Sequence, residues 1–369
     1  MPLTDTEQAK LGPWVEAELG EEIVSLDLVA DGLNLVVAVS TPDDDYILRR
    51  PNELRDTPMF INTLREYRAL KRLATTEIPA PRPIAHCQDE SILGDPFLLM
   101  TRLDGDVVPL GSRLPGRYRH SAARKRLAND VIDTLTTLHT TPTAAFEGIC
   151  ETHPIADHVA ADVARVKRAA ETVPESFSEL AAVGDWLRDH VPEPTDTVVT
   201  HGDYRPGNIL FSGAPSSGDN TTHTQPLPTV SGVLDWETLS LGDPRTELGY
   251  LLLRWRDAGD PTPTLDSVRT FDESDTVPRG IKQAAASGLA PYTSAPGSPS
   301  RHELVTRYES RTGHSTDRLR FVFVSAAFSL AAVWMTLHAQ DGGGDTGRLP
   351  WIDYLQLTAE LAIDNRLEV

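Results

Sequence analysis

Apolar and polar residues follow a period of two in the first hundred residues, which predicts strands. Five segments show this alternation or a short apolar run, and they are 23–29, 35–40, 46–49, the residues around 84, and 97–101. Apolar residues at helical spacing predict a helix over 6–19, interrupted at Gly12-Pro13, and a second over 58–74. This part of the chain is therefore expected to form a small sheet of about five strands wrapped by one helix.

After Asp104 the apolar spacing becomes helical. Helices are predicted over 118–139, 155–172 and 176–191, and a 17-residue apolar run over 321–337 predicts a helix buried on all sides. We place a lobe boundary here, with an N-terminal lobe over 1–103 and a C-terminal lobe over 104–369. Two turn-rich segments, 212–229 and 257–300, are expected to be loops, and the second is a candidate cover for an acceptor site.

Three polar residues follow short apolar runs in the second half of the chain. The sequence His-Gly-Asp-Tyr-Arg-Pro-Gly-Asn occupies 201–208, and Asp235 ends a further run that begins at Val230. Asp203 and Asn208 are five positions apart, which is the spacing of the catalytic Asp and the metal-binding Asn in a kinase loop, and such a loop needs a second metal-binding Asp downstream. A purely structural turn is the alternative, because Asp, Gly and Asn are all common in turns.

These motifs resemble the aminoglycoside phosphotransferase-like family of small-molecule kinases, and in particular the branch that is fused to acyl-CoA dehydrogenases. The resemblance extends from Leu28 to Gly347 and depends on 201–210 and 234–252 in combination. It implies an α+β, protein-kinase-like fold of two lobes, with a small antiparallel β-rich lobe that binds nucleotide and a larger, mainly helical lobe that carries catalysis and substrate binding. The implied cofactors are ATP and Mg²⁺.

The resemblance also implies the roles of the three polar residues. Asp203 would orient and deprotonate the acceptor hydroxyl, and Asn208 and Asp235 would hold the metal. Arg205 would offset charge on the transferred phosphate, or would instead pair with Asp243 or Glu247. The acceptor would be a small hydroxylated metabolite, for which the dehydrogenase-fused branch suggests a hydroxyacyl compound.

Two residues of the N-terminal lobe match the family's phosphate-gripping pair. Arg49 ends the third predicted strand, where the family usually has Lys, and Glu66 lies in the following helix. In kinases a basic residue on this strand contacts the phosphates and pairs with a helix carboxylate. Arg50 is an alternative to Arg49, and an ordinary surface ion pair is an alternative to the whole assignment.

Further nucleotide contacts are expected at two other places in this lobe. Asn34 lies in the first hairpin after Gly32, where the family usually has a second Gly and a Ser that this chain lacks. The strand that ends at Met100 and continues to Arg102 matches the segment that joins the two lobes, whose backbone would read the adenine edge.

Several residues near the motifs have structural interpretations. His201 is expected to hold the backbone around Asp203, since no Ser-His-Asp order is present. Asp243 is expected to cap the helix that follows, with Pro244 at its first position. For Glu237 two roles stay open, a contact to a second Mg²⁺ or a brace for the loop.

Composition restricts the setting of the protein. The formal net charge is −20, and only five of the 34 basic residues are Lys, which favours adaptation to a salt-rich cytoplasm over an ordinary acidic protein. Such a surface repels nucleic acid. Two distant cysteines support neither a disulfide framework nor a zinc site. No secretory signal is recognisable, and the apolar run over 321–337 falls short of the roughly 20 residues that cross a membrane.

The sequence therefore predicts a cytoplasmic ATP-dependent phosphotransferase that acts on a small hydroxylated molecule, without nucleic-acid or membrane partners. Three alternatives stay open: a nucleotide-binding module without catalysis, a kinase that uses GTP, and a kinase that modifies an antibiotic.

Overall fold

A computed structural model describes residues 3–31, 34–52, 62–173, 177–213, 227–261, 289–340, 342–343 and 348–369. The chain divides into two compact units. The first consists of Met1–Gly105, Ala144–Glu151 and Ser231–Leu239, and the second of Asp106–Thr143, Thr152–Val230 and Ser240–Val369. The boundary predicted after residue 103 falls just before Gly105, but the return of two later segments to the first unit was not anticipated from the sequence.

The first unit contains a five-stranded antiparallel sheet in the order β1-β2-β3-β5-β4. Its strands are β1 Ser25–Asp31, β2 Asn34–Ser40, β3 Asp45–Pro51, β4 Pro83–Cys87 and β5 Phe97–Thr101. Arg49 lies on the middle strand, opposite Val36 on one side and Leu98 on the other. Arg49, which was predicted to bind phosphate, thus lies on a strand that is paired with a neighbour on both sides.

Among the described residues three helices accompany this sheet, of which the first two were predicted and the short third was not. They are α1 Asp5–Leu19, α2 Thr63–Leu73 and the short α3 Glu90–Leu93. The interruption predicted at Gly12-Pro13 is wrong, because α1 continues through Pro13. Leu11 and Val15, on either side of the proline, are buried in the sheet's core, and this packing offsets the hydrogen bond that proline cannot make. The predicted start of α2 at 58 lies outside the described residues.

The second unit is mainly helical and carries short strands at its edge. The helices are α4 Ser121–His139, α5 Ile155–Ala170, α6 Ser178–Asp189, α7 Pro244–Arg254, α8 Arg301–Thr312, α9 Leu319–Gln340 and α10 Leu349–Ile363. The strands are β6 Asp106–Val107, β7 Thr152–His153, β8 Val198–Thr200, β9 Ile209–Ser212 and β11 Ser240–Gly242, and β10 Thr229–Val233 leads from this unit into the first. The predicted α+β class, with an antiparallel sheet and a mainly helical remainder, is confirmed.

Helix α9 is the apolar segment predicted at 321–337, but it is longer than the sequence suggested. Its 22 residues are long and apolar enough to cross a membrane by length and composition, so the argument from insufficient length is wrong. Within its most apolar window 67% of the residues are buried inside the structure, which is typical of a core helix. Helix α9 packs closely against α7. A Cβ atom added to Gly249 of α7 would lie 2.8 Å from the carbonyl carbon of Val322 of α9.

Of the two predicted loops, 214–226 and 262–288 lie outside the described residues. The proposal that the second covers an acceptor site therefore stays a prediction.

Candidate functional site

The loop between β8 and β9 carries the motif of residues 201–208 and is held in place by Glu247 of α7. One carboxylate oxygen of Glu247 accepts from the backbone N–H of His201 at 2.9 Å, and the other accepts from that of Gly202 at 2.7 Å. Gly202 has φ 87°, a conformation that glycine adopts without strain. The buried His139 also contacts Glu247, with 3.1 Å between Nε2 and Oε2. This carboxylate therefore fixes the backbone just before Asp203.

Asp203 lies in a network of donors within the second unit. Its carboxylate accepts from Nε of Arg205 at 3.1 and 3.2 Å and from Nδ2 of Asn208 at 2.7 Å. The hydroxyl of Tyr250 donates to Oδ1 of the same carboxylate. His201 accepts from the Asp203 backbone N–H through Nδ1 at 3.2 Å, which fits the structural role predicted for that histidine. The predicted spacing thus brings Asp203 and Asn208 into direct contact.

The electrostatic surroundings favour the ionised form of Asp203. Burial raises the pKa of this carboxyl, but the Arg205 guanidinium, the Tyr250 hydrogen bond and the charge of Arg254 outweigh burial, and the net shift is downward. For the partner phenol the effect of burial prevails, and it raises the pKa of Tyr250 to about 12. Tyr250 therefore acts as a donor, and Asp203 as an acceptor, throughout the physiological range of pH.

A second cluster of predicted residues lies within the first unit and is centred on Arg49. The guanidinium contacts Oε1 of Glu66 at 2.6 Å, Oδ1 of Asp235 at 2.7 Å, and Oε2 of Glu237. The pair of Arg49 and Glu66 is not an ordinary surface ion pair, which was the alternative left open from the sequence, because the two side chains are only 6% and 4% exposed. Nδ2 of Asn34 also donates to Glu237, at 3.1 Å.

This cluster has more negative than positive charge, since three carboxylates face one guanidinium. Burial raises the pKa of Glu66 more than the adjacent Arg49 lowers it. Burial, together with the charges of Asp235 and Glu66, raises the pKa of Glu237 to about 7 against the opposing effect of Arg49. Asp235 itself adopts a left-handed conformation, with φ 70° and ψ 59°, which is uncommon for a non-glycine residue and recurs at functional sites.

Each unit carries an oxygen group that suits a hard cation such as Mg²⁺, which prefers carboxylate and amide oxygens as ligands. Asn208 uses its Nδ2 as a donor to the carboxylate and the backbone oxygen of Asp203, which leaves its amide oxygen free to be a ligand. Asp235 has a side chain that is 34% exposed and lies among surplus carboxylates. In the described part of the chain, no group of three or more His, Cys, Asp or Glu side chains has the arrangement of a metal site.

The other residues predicted to contact the nucleotide lie at or near the end of β5 and in the first hairpin. Met100 lies on β5, paired with Ile47 of β3 and Pro83 of β4. The backbone N–H of Arg102 donates to Asp45 at 3.1 Å, so this donor is already used. Gly32, two positions before Asn34, lies outside the described residues.

The alternatives left open for two arginines now have outcomes. Arg50 contacts Glu7 at 3.0 Å and the Leu93 carbonyl, and so takes no part in the Arg49 cluster. Arg205 pairs with Asp203 and not with Asp243 or Glu247. Asp243 caps α7, as predicted, by accepting from the Arg245 backbone N–H.

Sequence reasoning missed three residues around Asp203, namely His139, Tyr250 and Arg254. Tyr250 and Arg254 lie on α7, three and seven positions after Glu247. This spacing places Glu247, Tyr250 and Arg254 on one face of the helix. That spacing was a usable signal, because Glu247 stood within a recognised motif.

Comparison with known proteins shows what the chain is similar to. The model of the phosphotransferase enzyme family matches residues 27–280. Among curated proteins, mouse acyl-CoA dehydrogenase family member 10 is 29% identical over 216 residues, which cover 58% of this chain and 18% of that protein. The chain thus corresponds to less than a fifth of the length of this relative.

Solved structures show the fold. The structure of a predicted aminoglycoside phosphotransferase from Ralstonia eutropha superposes with a TM-score of 0.68 at 22% identity and covers 96% of this chain and 97% of that one. The aminoglycoside phosphotransferase APH(4)-Ia, in a ternary complex with AMP-PNP and hygromycin B, superposes with a TM-score of 0.58 at 12% identity and covers 98% and 99%. These neighbours confirm the predicted two-lobed, kinase-like fold.

Proposed function

Since the chain belongs to the phosphotransferase enzyme family, we propose that it transfers the γ-phosphoryl group of ATP to a hydroxyl of a small metabolite. The observation that supports this most directly is the state of Asp203. Its carboxylate is held by Arg205, Asn208 and Tyr250 and has a lowered pKa, while its side chain keeps about a quarter of its surface exposed. An ionised, oriented and accessible carboxylate is what a kinase needs beside the acceptor.

The proposed reaction assigns one role to each residue of the loop. Asp203 accepts the proton of the acceptor hydroxyl while the hydroxyl oxygen bonds to the γ-phosphorus and the bridging bond to ADP breaks. Arg205 offsets charge on the transferred group. Because phosphoryl transfer asks for little covalent chemistry from the protein, most of the catalytic effect would come from positioning and charge stabilisation.

The nucleotide would be held mainly by the N-terminal lobe, residues 1–103, and the acceptor by residues 104–369. Arg49, braced by Glu66, would grip the phosphates. Asn34 and the backbone near Met100 and Arg102 would make further nucleotide contacts. Asn208 and Asp235 would hold Mg²⁺, which would neutralise charge on the phosphate oxygens when bound.

The acceptor is proposed to be a hydroxyacyl compound or a related small hydroxylated molecule. Support for this comes from the matched relative, which is named as an acyl-CoA dehydrogenase family member. An antibiotic of the hygromycin type, as in the APH(4)-Ia complex, is the competing acceptor.

The experiment that tests the proposal is a thermal-shift measurement with ATP or GTP, each with and without Mg²⁺, in molar KCl because of the predicted salt-rich cytoplasm. MgATP at 100 times its Kd should stabilise the fold by about 2.7 kcal/mol. Transfer of labelled γ-phosphate to pooled metabolites should follow. No stabilisation by any Mg-nucleotide would exclude a nucleotide-binding function, and stabilisation without transfer or hydrolysis would favour a non-catalytic module.

A further inference from the structure

Two guanidinium groups act on Asp203 in a protein whose formal net charge is −20. The positive charges of Arg205 and Arg254 lower the pKa of Asp203, and both also act on Tyr250, whose hydroxyl touches Asp203. The nearby Glu247 carboxylate is used by the backbone N–H groups of His201 and Gly202. Arg254 is therefore a second arginine close to the candidate base, beside the Arg205 that pairs with it.

Arg254 has hydrogen-bonding capacity that its described neighbours do not use. Nη2 donates to the Tyr250 hydroxyl at 3.2 Å, and the guanidinium carbon lies 5.3 Å from the centre of the Tyr250 ring. Its buried Nε has no partner within the described part of the chain. A buried donor left unsatisfied is costly, and a guanidinium is shaped to bind a carboxylate or phosphate with two parallel bonds.

We propose that Arg254 binds an anionic group, a carboxylate or a phosphate, on the acceptor whose hydroxyl Asp203 contacts. The inference rests on the proposed function and narrows its substrate class. Arg205 already lies against Asp203 and serves the transferred phosphoryl group, so the second arginine is available for the acceptor. A polycationic aminoglycoside would meet two guanidinium groups beside the base, and like charges in such a site disfavour binding.

The test uses matched acceptors that differ only in the anionic group. Hydroxybutyrate is compared with its methyl ester, and glycerol 3-phosphate with glycerol, by kcat/KM with MgATP and by saturation-transfer NMR without nucleotide. Because a hydrogen bond to a charged group is worth about 1.5–3 kcal/mol, the wild type should prefer the anionic member of at least one pair by about 10-fold or more. Kanamycin should be a poorer acceptor than the preferred anion.

Three variants assign the preference to Arg254. Arg254→Gln should abolish the discrimination and raise KM for the anionic acceptor, whereas Arg254→Lys should keep part of it. Arg188→Gln removes the same charge from an exposed position on α6 and should change nothing. Tyr250→Phe should lower kcat but leave the discrimination intact, which separates anion binding from indirect support of Asp203.

The outcomes distinguish this inference from the proposed function. Equal or better use of the neutral or cationic acceptors overturns the inference while the phosphotransferase stands. Discrimination that survives in Arg254→Gln overturns the assignment to this residue. If no acceptor is phosphorylated, the NMR comparison still decides, because selective binding of the anion that is lost in Arg254→Gln supports the anion site even though the proposed function fails.

Discussion

The Tyr250 hydroxyl donates a hydrogen bond to Oδ1 of Asp203, although the two residues are 47 positions apart in the sequence. Tyr250 lies on α7, the helix whose Glu247 holds the backbone of the Asp203 loop. One helix therefore fixes both the main chain and the carboxylate of the candidate base. This arrangement makes α7 the element on which the geometry of the loop depends.

Replacing Tyr250 with Phe should lower turnover by about 10-fold, since the hydroxyl orients and stabilises the Asp203 carboxylate by roughly 1.5 kcal/mol. The loss of this donor lets the pKa of Asp203 rise. The acidic limb of the kcat/KM profile should therefore move to higher pH, because Asp203 must be ionised to accept a proton. Tyr46→Phe is the matched control, because it removes the hydroxyl of a buried tyrosine on β3 of the first unit. An unchanged pH profile in Tyr250→Phe would show that this contact does not tune Asp203.

Replacing Arg49 with Met should destabilise the nucleotide-free protein by about 3–5 kcal/mol, the usual effect of removing one partner from a buried ion pair. The reason is that Glu66, Asp235 and Glu237 would then face each other without a cation. Chemical denaturation in the absence of Mg²⁺ measures the loss. Adding Glu237→Gln to Arg49→Met should recover part of the stability, because it removes one of the repelling charges. Additive effects of the two changes would contradict this account of the cluster.

Replacing Asp243 with Asn should cost about 3 kcal/mol at neutral pH, since it leaves the buried Arg245 without its charged partner. Burial raises the pKa of Asp243, but the hydrogen bonds from Arg245 lower this pKa by a larger amount. The net shift of the pKa is therefore downward. A carboxyl with a lowered folded pKa contributes stability above its unfolded pKa and loses it as the pH falls. The difference between wild type and variant should therefore shrink below about pH 4.

Asp185→Asn provides the control for this prediction. It breaks an ion pair with Arg188 in which both side chains are more than half exposed, and exposed pairs contribute about 1 kcal/mol or less. A stability difference for Asp243→Asn that stays constant from neutral to acidic pH would mean that packing, and not charge, is the main contribution of Asp243.

The local parts of the fold and of the site were predictable from sequence because they depend on short-range patterns. Alternation predicted the strands that carry Arg49, and the spacing within 201–208 predicted that Asp203 and Asn208 would act together. Contact between Asp203 and Tyr250 depends on how α7 packs beside the loop, and the spacing of Tyr250 from Glu247 indicates this contact only once Glu247 is known to hold the loop. The continuation of α1 through Pro13 has the same cause, since buried neighbours on both sides override the helix-breaking tendency of proline.

The return of 231–239 to the first unit is a further feature that the sequence did not reveal. Asp235 was predicted to be a metal ligand from its order in the chain, but the side chains around it were not predicted. The structure surrounds Asp235 with Arg49 and the Glu66 and Glu237 carboxylates. The choice left open for Glu237 has a partial answer, because Glu237 accepts hydrogen bonds from Asn34 and Arg49 and so braces the cluster.

Replacing Asp235 with Asn should weaken Mg²⁺-dependent nucleotide binding, because a charged ligand of the cation is lost. Asn208→Ala should act in the same direction but less strongly, since it removes a neutral ligand. Calorimetric titration with ATP, with and without Mg²⁺, measures both effects. The affinity for metal-free ATP should change little in Asn208→Ala, and equal losses with and without Mg²⁺ would argue against a metal-binding role for either residue.

Replacing Asp203 with Asn should separate catalysis from binding. The carboxylate is proposed to act on the acceptor hydroxyl and not on the metal, so MgATP affinity should stay within a few-fold of wild type. Turnover should fall by about 10²–10⁴, the span typical of a positioned acid or base. The shape of Asn, and its ability to accept from Tyr250, keep the loop intact, so the stability of the variant provides the control. If the replacement instead abolished MgATP binding, Asp203 would be a metal ligand and the proposed assignment of roles within the loop would be wrong. If it changed neither binding nor turnover, the intact network around Asp203 would serve the fold alone, and a nucleotide-binding module would be the better account of the chain.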